Sequence, residues 1–185
     1  MAQVKGTAVI ASLRFVREQF GEEGLERVLA ALPDEDRSAF DANLLASSWY
    51  PMPALLHFME ETQKQFEAQE PEVLRKMGRR SADYGLTTVY KIFFKVGSPE
   101  FIVRKASRVF GSYYDTGEMV QVENAPGRAV VELKGFAGAP QYCARIFGWM
   151  ERTMVLAGAR NLKSSHSSCV HRGDQVCRFE GNWEA

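Results

Sequence analysis

Apolar residues recur at helical spacing through the first two thirds of the chain and then change period. From Val4 to Phe20, the residues Val9, Leu13, Val16 and Phe20 fall on one helical face. Gly21 breaks that run. Leu25, Val28, Leu29 and Leu32 mark a second helix over Glu22 to Leu32, which Pro33 stops. Asp34 to Leu45 predicts a short helix whose acidic first turn suits the helix dipole. Ser47 to Pro53 reads as a loop with Trp49 and Tyr50 anchored in the core. Ala54 to Phe66 is amphipathic through Leu55, Phe58, Met59, Thr62 and Phe66. Glu72 to Phe94 keeps helical spacing, with an interruption expected at Gly78 or Gly85. Ser98 then caps a helix with Pro99 at its first position, carrying Ile102, Val103, Ala106, Val109, Phe110 and Tyr113.

Beyond this point the pattern alternates. Met119 to Glu123 and Ala129 to Leu133 flank the turn Ala125-Pro126-Gly127 and predict a hairpin. Pro140 to Ala157 returns to helical spacing, with Cys143, Ile146, Phe147, Met150 and Met154 on one stripe and Gly158 as its stop. Lys163 to His171 and Gln175 to Trp183 form a second hairpin around Arg172-Gly173-Asp174. The expected class is α+β, with about seven helices packed on a small four-stranded antiparallel sheet. The expected organisation is a single domain, 1–185, with a helical part over 1–115 and a strand-strand-helix-strand-strand part over 116–185.

Charge and composition narrow the function. The chain has 23 basic and 23 acidic residues, so its net charge is zero, which argues against a nucleic-acid binder. That zero is a cancellation: Gln19 to Ala42 holds seven acids and two bases, whereas Arg75 to Arg108 holds nine bases and two acids. The two runs read as solvated helix faces that meet each other, or else the basic 75–108 segment receives a protein partner or anionic ligand. The opening residues lack a signal peptide, and no apolar run reaches the roughly 20 residues that span a bilayer. The expected location is cytoplasmic, where three cysteines suggest packing, reactivity or metal before disulfides. No nucleophile elbow, phosphate loop, dinucleotide fingerprint or zincin motif occurs, so an enzyme is not expected. His57, between Leu56 and Phe58, reads as an ordinary satisfied histidine.

The cysteines form a constellation. Cys169 and Cys177 lie symmetrically about Gly173, so a turn centred there sets them opposite each other across the hairpin. Two such thiolates can share a tetrahedral zinc with bonds of about 2.3 Å. Cys143, on the helix between the hairpins, supplies a third ligand. For a fourth, His171 shares the strand face of Cys169, whereas His166 points away unless the strand bulges.

Cys143, His166-Ser167-Ser168-Cys169, Gly173 and Cys177-Arg178-Phe179 resemble the 4-vinyl-reductase domain family. In its phenol-sensing regulators the matching positions hold structural zinc, which implies Cys143, His166, Cys169 and Cys177 as ligands here. His166 replaces the family's acidic residue. Lys5-Gly6-Thr7 and Phe20-Gly21 resemble the opening of heme nitric-oxide-binding (H-NOX) domains. These share a helical fold and small antiparallel sheet with the 4-vinyl-reductase domains and with Bet-three-type tethering subunits. Segments such as Ser48-Trp49-Tyr50-Pro51 and Cys169-Val170-x-Arg172-Gly173-Asp174 are similar to a paralogous family seen in myxobacteria. H-NOX domains ligate heme through a helical His near mid-chain and clamp it with Tyr-x-Ser-x-Arg. No His occurs between 58 and 165 and no such motif is present, so heme is not expected. No Trp lies between Tyr50 and Gly148, so the phenol sensors' pocket His-Trp pair is also missing.

The expectation is a regulatory or sensor domain that binds a small hydrophobic molecule, with Tyr90, Phe94, Phe110 and Phe147 lining its cavity and a structural zinc. The alternative is a protein-interaction or scaffold module with no ligand. The relatives also imply a homodimer.

Overall fold

In the computed structural model of the chain, residues 1–40, 43–88 and 98–184 are described. Within them lie seven α-helices and six strands. Helix α1 spans Gly6–Ala30 and bends at Gly21, whose φ of 77° and ψ of 176° leave helical space where the sequence placed its break. A short α2 follows over Asp34–Arg37. Helix α3 spans Met52–Phe66 and buries Leu55, Phe58, Met59, Thr62 and Phe66, as their spacing predicts. Helix α4 runs over Val73–Thr88 without interruption at Gly78 or Gly85, contrary to expectation. The reason is tertiary: α4 presses so closely on a later helix that only glycine fits at position 78. Pro99–Arg104 (α5) is capped by the Ser98 hydroxyl, and Ala106–Gly111 (α6) is offset from it at Lys105, so one expected helix is two. Pro140–Leu156 (α7) ends at Gly158, which takes φ 102°.

Two three-residue strands depart from the sequence reading. Gln3–Lys5 (β1) pairs with Trp49–Pro51 (β2), where a helix start and a loop were expected. Trp49 is correspondingly not anchored in the core. It is 38% exposed, with the Lys5 ammonium 4.1 Å over its ring, because it is a residue of an edge ribbon and not of a buried loop. The helix expected over Asp34 to Leu45 stops at Arg37 and gives way to a 3₁₀ turn over Ser38–Phe40. Asp36 of α2 turns inward, and its Oδ2 lies 2.5 Å from His57 Nδ1.

The main sheet contains Glu118–Ala125 (β3), Arg128–Lys134 (β4), Arg160–Ser168 (β5) and Cys177–Glu184 (β6). Its order is β3-β4-β6-β5 and every pairing is antiparallel. Helix α7 packs against β5 and β6 and also against α4, so it is sandwiched between sheet and helical part. The core is continuous across this junction. Buried Tyr142 of α7, for example, donates its hydroxyl to the Met52 carbonyl at 2.8 Å.

Among the described residues, no ion pair joins the two charge runs. Among the described residues, Arg75, Lys76, Arg79 and Arg80 pair with Glu72, Glu151, Glu70, Glu18 and Asp83, none of which lies in the acidic 19–42 run. No helix of the described residues is long and apolar enough to cross a membrane.

Candidate metal centre and ligand cavity

The three cysteines and His166 converge where α7 crosses the β5–β6 hairpin. One ligand atom from each lies within 4.8 Å of all the others. The sulfurs are 3.7 Å apart for Cys143 and Cys177, 3.8 Å for Cys169 and Cys177, and 4.0 Å for Cys143 and Cys169. A tetrahedron with metal–sulfur bonds of about 2.3 Å has edges of about 3.8 Å, whereas a disulfide needs about 2.05 Å. The thiols are free and buried.

Local geometry accounts for each position. Ser168 pairs with Arg178, the register that symmetry about Gly173 predicts. A 3₁₀ turn over Val170–Arg172 and Gly173 at φ 93° reverse the chain, and Asp174 locks the turn by accepting from the Cys169 amide at 2.7 Å. The register slips by one between His166 and Ser168, so His166 sits opposite Phe179. That bulge brings His166 to the cysteines. His171 lies in the exposed 3₁₀ turn and outside the cluster. The His166 ring stacks on Phe179 at 4.4 Å and lies 6.2 Å from Phe147. Its Nε2 is buried with no hydrogen-bond partner.

Burial dominates the electrostatics of the cluster. Burial pushes the Cys143 thiol well up, and the neighbouring Cys177 and Cys169 sulfurs push further. Burial also raises Cys177. His166 is held down at about 4, first by burial and then by Arg172 and His171, so its imidazole is neutral and offers a lone pair near pH 7. A bound divalent ion would invert the thiol preference by stabilising thiolates.

The second feature is a cavity of about 480 Å³ between α5, α6, α7 and the sheet. That is a volume suited to a small molecule. Phe110 and Phe147 are among the residues that line it. Tyr90 and Phe94 lie outside the described residues. Val103, Val109, Met119, Val131, Ile146 and Met150 make up much of the apolar wall. Sequence reasoning missed Arg145 and Trp149, which also line the cavity. The available signal was an arginine inside the apolar stripe of α7, directly before Ile146 and four residues before Trp149. Phe147 belongs to both neighbourhoods, since it walls the cavity and packs on His166 and Phe179.

This architecture matches solved structures over nearly the full chain. An H-NOX protein from S. oneidensis in the Fe(II)NO ligation state superposes with a TM-score of 0.75 at 14% identity, covering 98% of this chain and 99% of that one. The fold is that of the H-NOX domains. A K. algicida H-NOX mutant in the Fe(II) unliganded state gives 0.74 at 12% identity, with 98% and 97% coverage. A structure described as probing heme distortion in the H-NOX family gives 0.73 at 11% identity, with 98% and 95% coverage. No family model and no curated protein sequence matches the chain.

The expectation that heme is excluded is corrected by these neighbours, because the same fold holds heme iron in them. The exclusion rested on a missing helical His and a missing Tyr-x-Ser-x-Arg clamp, but Tyr, Cys and Met also serve as axial ligands to heme iron. The absence of that His from this sequence therefore does not exclude the cofactor.

Proposed function

We propose that this chain is a non-enzymatic sensor domain whose helix–sheet cavity binds a small hydrophobic molecule, heme included, and whose Cys143, His166, Cys169 and Cys177 hold a structural zinc. The observation that carries the zinc reading is the set of three sulfur separations, 3.7, 3.8 and 4.0 Å, around a buried imidazole nitrogen with no other partner. Cys₃His sets of this kind are closed, four-coordinate structural sites. The cavity reading is supported by its volume and by a fold whose solved neighbours carry ligands.

The residues present fit a heme-sized apolar group. Tyr113, Tyr114, Met119, Met150 and Met154 place phenol or thioether groups on the wall, and Arg145 and Trp149 place buried N–H groups there. A heme would supply an iron centre able to take a further small ligand. The chain itself gives the guest an apolar wall, orients it and couples it to α7. A guest that moves Phe147 acts on the ring of His166 and hence on the zinc-braced hairpin. Such coupling needs different affinities for the two packing states.

The test is metal analysis of protein purified without added metal, followed by cobalt substitution. One zinc per chain, and the intense thiolate–cobalt absorption of a tetrahedral site, are expected. Cys177→Ser should lose both. Metal-free protein that is as stable as the zinc-loaded form would overturn the zinc reading. Titration with hemin, followed in the visible range, tests the cavity separately.

A further inference from the structure

Arg145 is 2% exposed and lies in the middle of α7. Its Nη1 donates to the Tyr114 hydroxyl at 3.1 Å, and its Nη2 donates to the Ala8 carbonyl at 3.2 Å and the Ser81 hydroxyl at 3.1 Å. Every one of these partners is neutral. Burial holds the Tyr114 phenol above its ordinary value, against the pull of Arg145, so it supplies no negative charge. Among the described residues Arg145 takes part in no ion pair, and its Nε donates to nothing. The nearest carboxylate on the cavity wall by sequence, Glu151, is already engaged by Arg75, Arg79 and Ser164. A buried guanidinium without a counter-charge is costly to hold, because its desolvation is not offset.

One turn along the same helix, Trp149 also faces the cavity, and its Nε1 is buried without a partner. Residues four apart on a helix are neighbours on one face. At the cavity's edge, Lys105 and Arg108 are exposed and add positive charge. The remaining wall is largely aliphatic and aromatic. The cavity thus combines an apolar wall with two buried, unpartnered N–H donors.

Resting on the cavity reading above, we propose that Arg145 and Trp149 form a carboxylate-binding subsite, and that the guest is an apolar molecule bearing a carboxylate. Arg145 Nε and Trp149 Nε1 donate to the carboxylate, while the apolar body lies along Val131, Ile146 and Met150. Because Arg145 also holds Ala8 of α1, Ser81 of α4 and Tyr114, the carboxylate is felt directly by the helical part. Two sources supply such a group: an alkyl carboxylic acid, or the propionate of a porphyrin.

Matched pairs distinguish charge from apolar binding. Dodecanoic acid and 1-dodecanol are titrated calorimetrically, and hemin and its dimethyl ester spectroscopically. In at least one pair the acid should bind about tenfold or more tighter, as a charge-assisted contact implies. The pair that shows it identifies the source. Arg145→Met should reduce the acid to the affinity of its neutral partner. Trp149→Phe should weaken the acid several-fold and leave the neutral partner unchanged, and it carries the test if Arg145→Met does not fold. Equal affinity within both pairs, or acid binding unchanged in both variants, overturns the subsite while leaving the cavity in place. No saturable binding of any of the four compounds overturns the cavity reading and the subsite with it.

Discussion

Helices α4 and α7 meet through two glycines, and replacing one with alanine should part the helices. A Cβ built on Gly78 lies 1.9 Å from the Arg145 carbonyl oxygen, and one built on Gly148 lies 1.9 Å from the Arg75 carbonyl oxygen. Real contacts of this kind essentially never fall below 3.0 Å, so the helices must separate by at least 3.0 − 1.9 = 1.1 Å. Neither obstacle can rotate aside, since both are backbone atoms within helices. A gap of that size forfeits a quarter to a half or more of each dispersion contact across the seam. It also strains the Ser81 contact to Arg145 and the Arg75 contact to Glu151, which cross the same interface at 3.1 and 2.9 Å. Overpacking costs about 1–3 kcal/mol, and the backbone obstacle places Gly78→Ala at about 3 kcal/mol. For a chain of this size that lowers Tm by about 6–12 °C. Gly111→Ala is the control, because among the described residues nothing lies within 4 Å of a Cβ built there. It should leave Tm unchanged or slightly raised. Thermal unfolding followed by circular dichroism reads both. A Gly78→Ala variant within about 2 °C of the parent would refute the close-approach argument.

Three further outcomes are expected. Burial alone would raise the Glu151 carboxyl, but hydrogen bonds from Arg75, Ser164 and Arg79 outweigh it and hold the group below its ordinary value. Its stabilisation is therefore present above the unfolded carboxylate pKa of about 4.3 and is lost as pH falls through the lower folded value; Glu151→Gln should cost about 2 kcal/mol at pH 7 by urea unfolding and flatten the acid limb of the stability profile. Tyr142→Phe leaves the buried Met52 carbonyl without its 2.8 Å donor and should cost about 1–3 kcal/mol, checked by the same unfolding midpoint. Gly173→Ala forces a side chain into φ 93° at the turn that presents Cys169; it should cost about 1–2 kcal/mol and weaken zinc retention against a chelator.

Local pattern was enough for the elements whose own residues specify them. The apolar spacing of Leu55, Phe58, Met59 and Phe66, the Ser98-Pro99 cap and the Gly158 stop are short-range signals, and the helices they predict are present. The α+β class and the strand-helix-strand order follow from the change of period after Tyr114. Symmetry about Gly173 sufficed to pair Ser168 with Arg178, because hairpin register is counted from the turn. Strands β1 and β2 were invisible, since three-residue strands paired across more than forty positions leave no period to read. Nor does composition say which histidine joins the cysteines: a one-residue slip between His166 and Ser168 reverses the face, and that slip is set by pairing with β6. Arg145 belongs to the same class. Its sequence position marks an arginine in an apolar stripe, but its lack of a counter-charge depends on what α1, α4 and Tyr114 bring to it. The periodicity of a chain is a property of neighbours along it. A metal cluster, a cavity or an unpaired charge is a property of residues that meet only after the helices and sheet have packed.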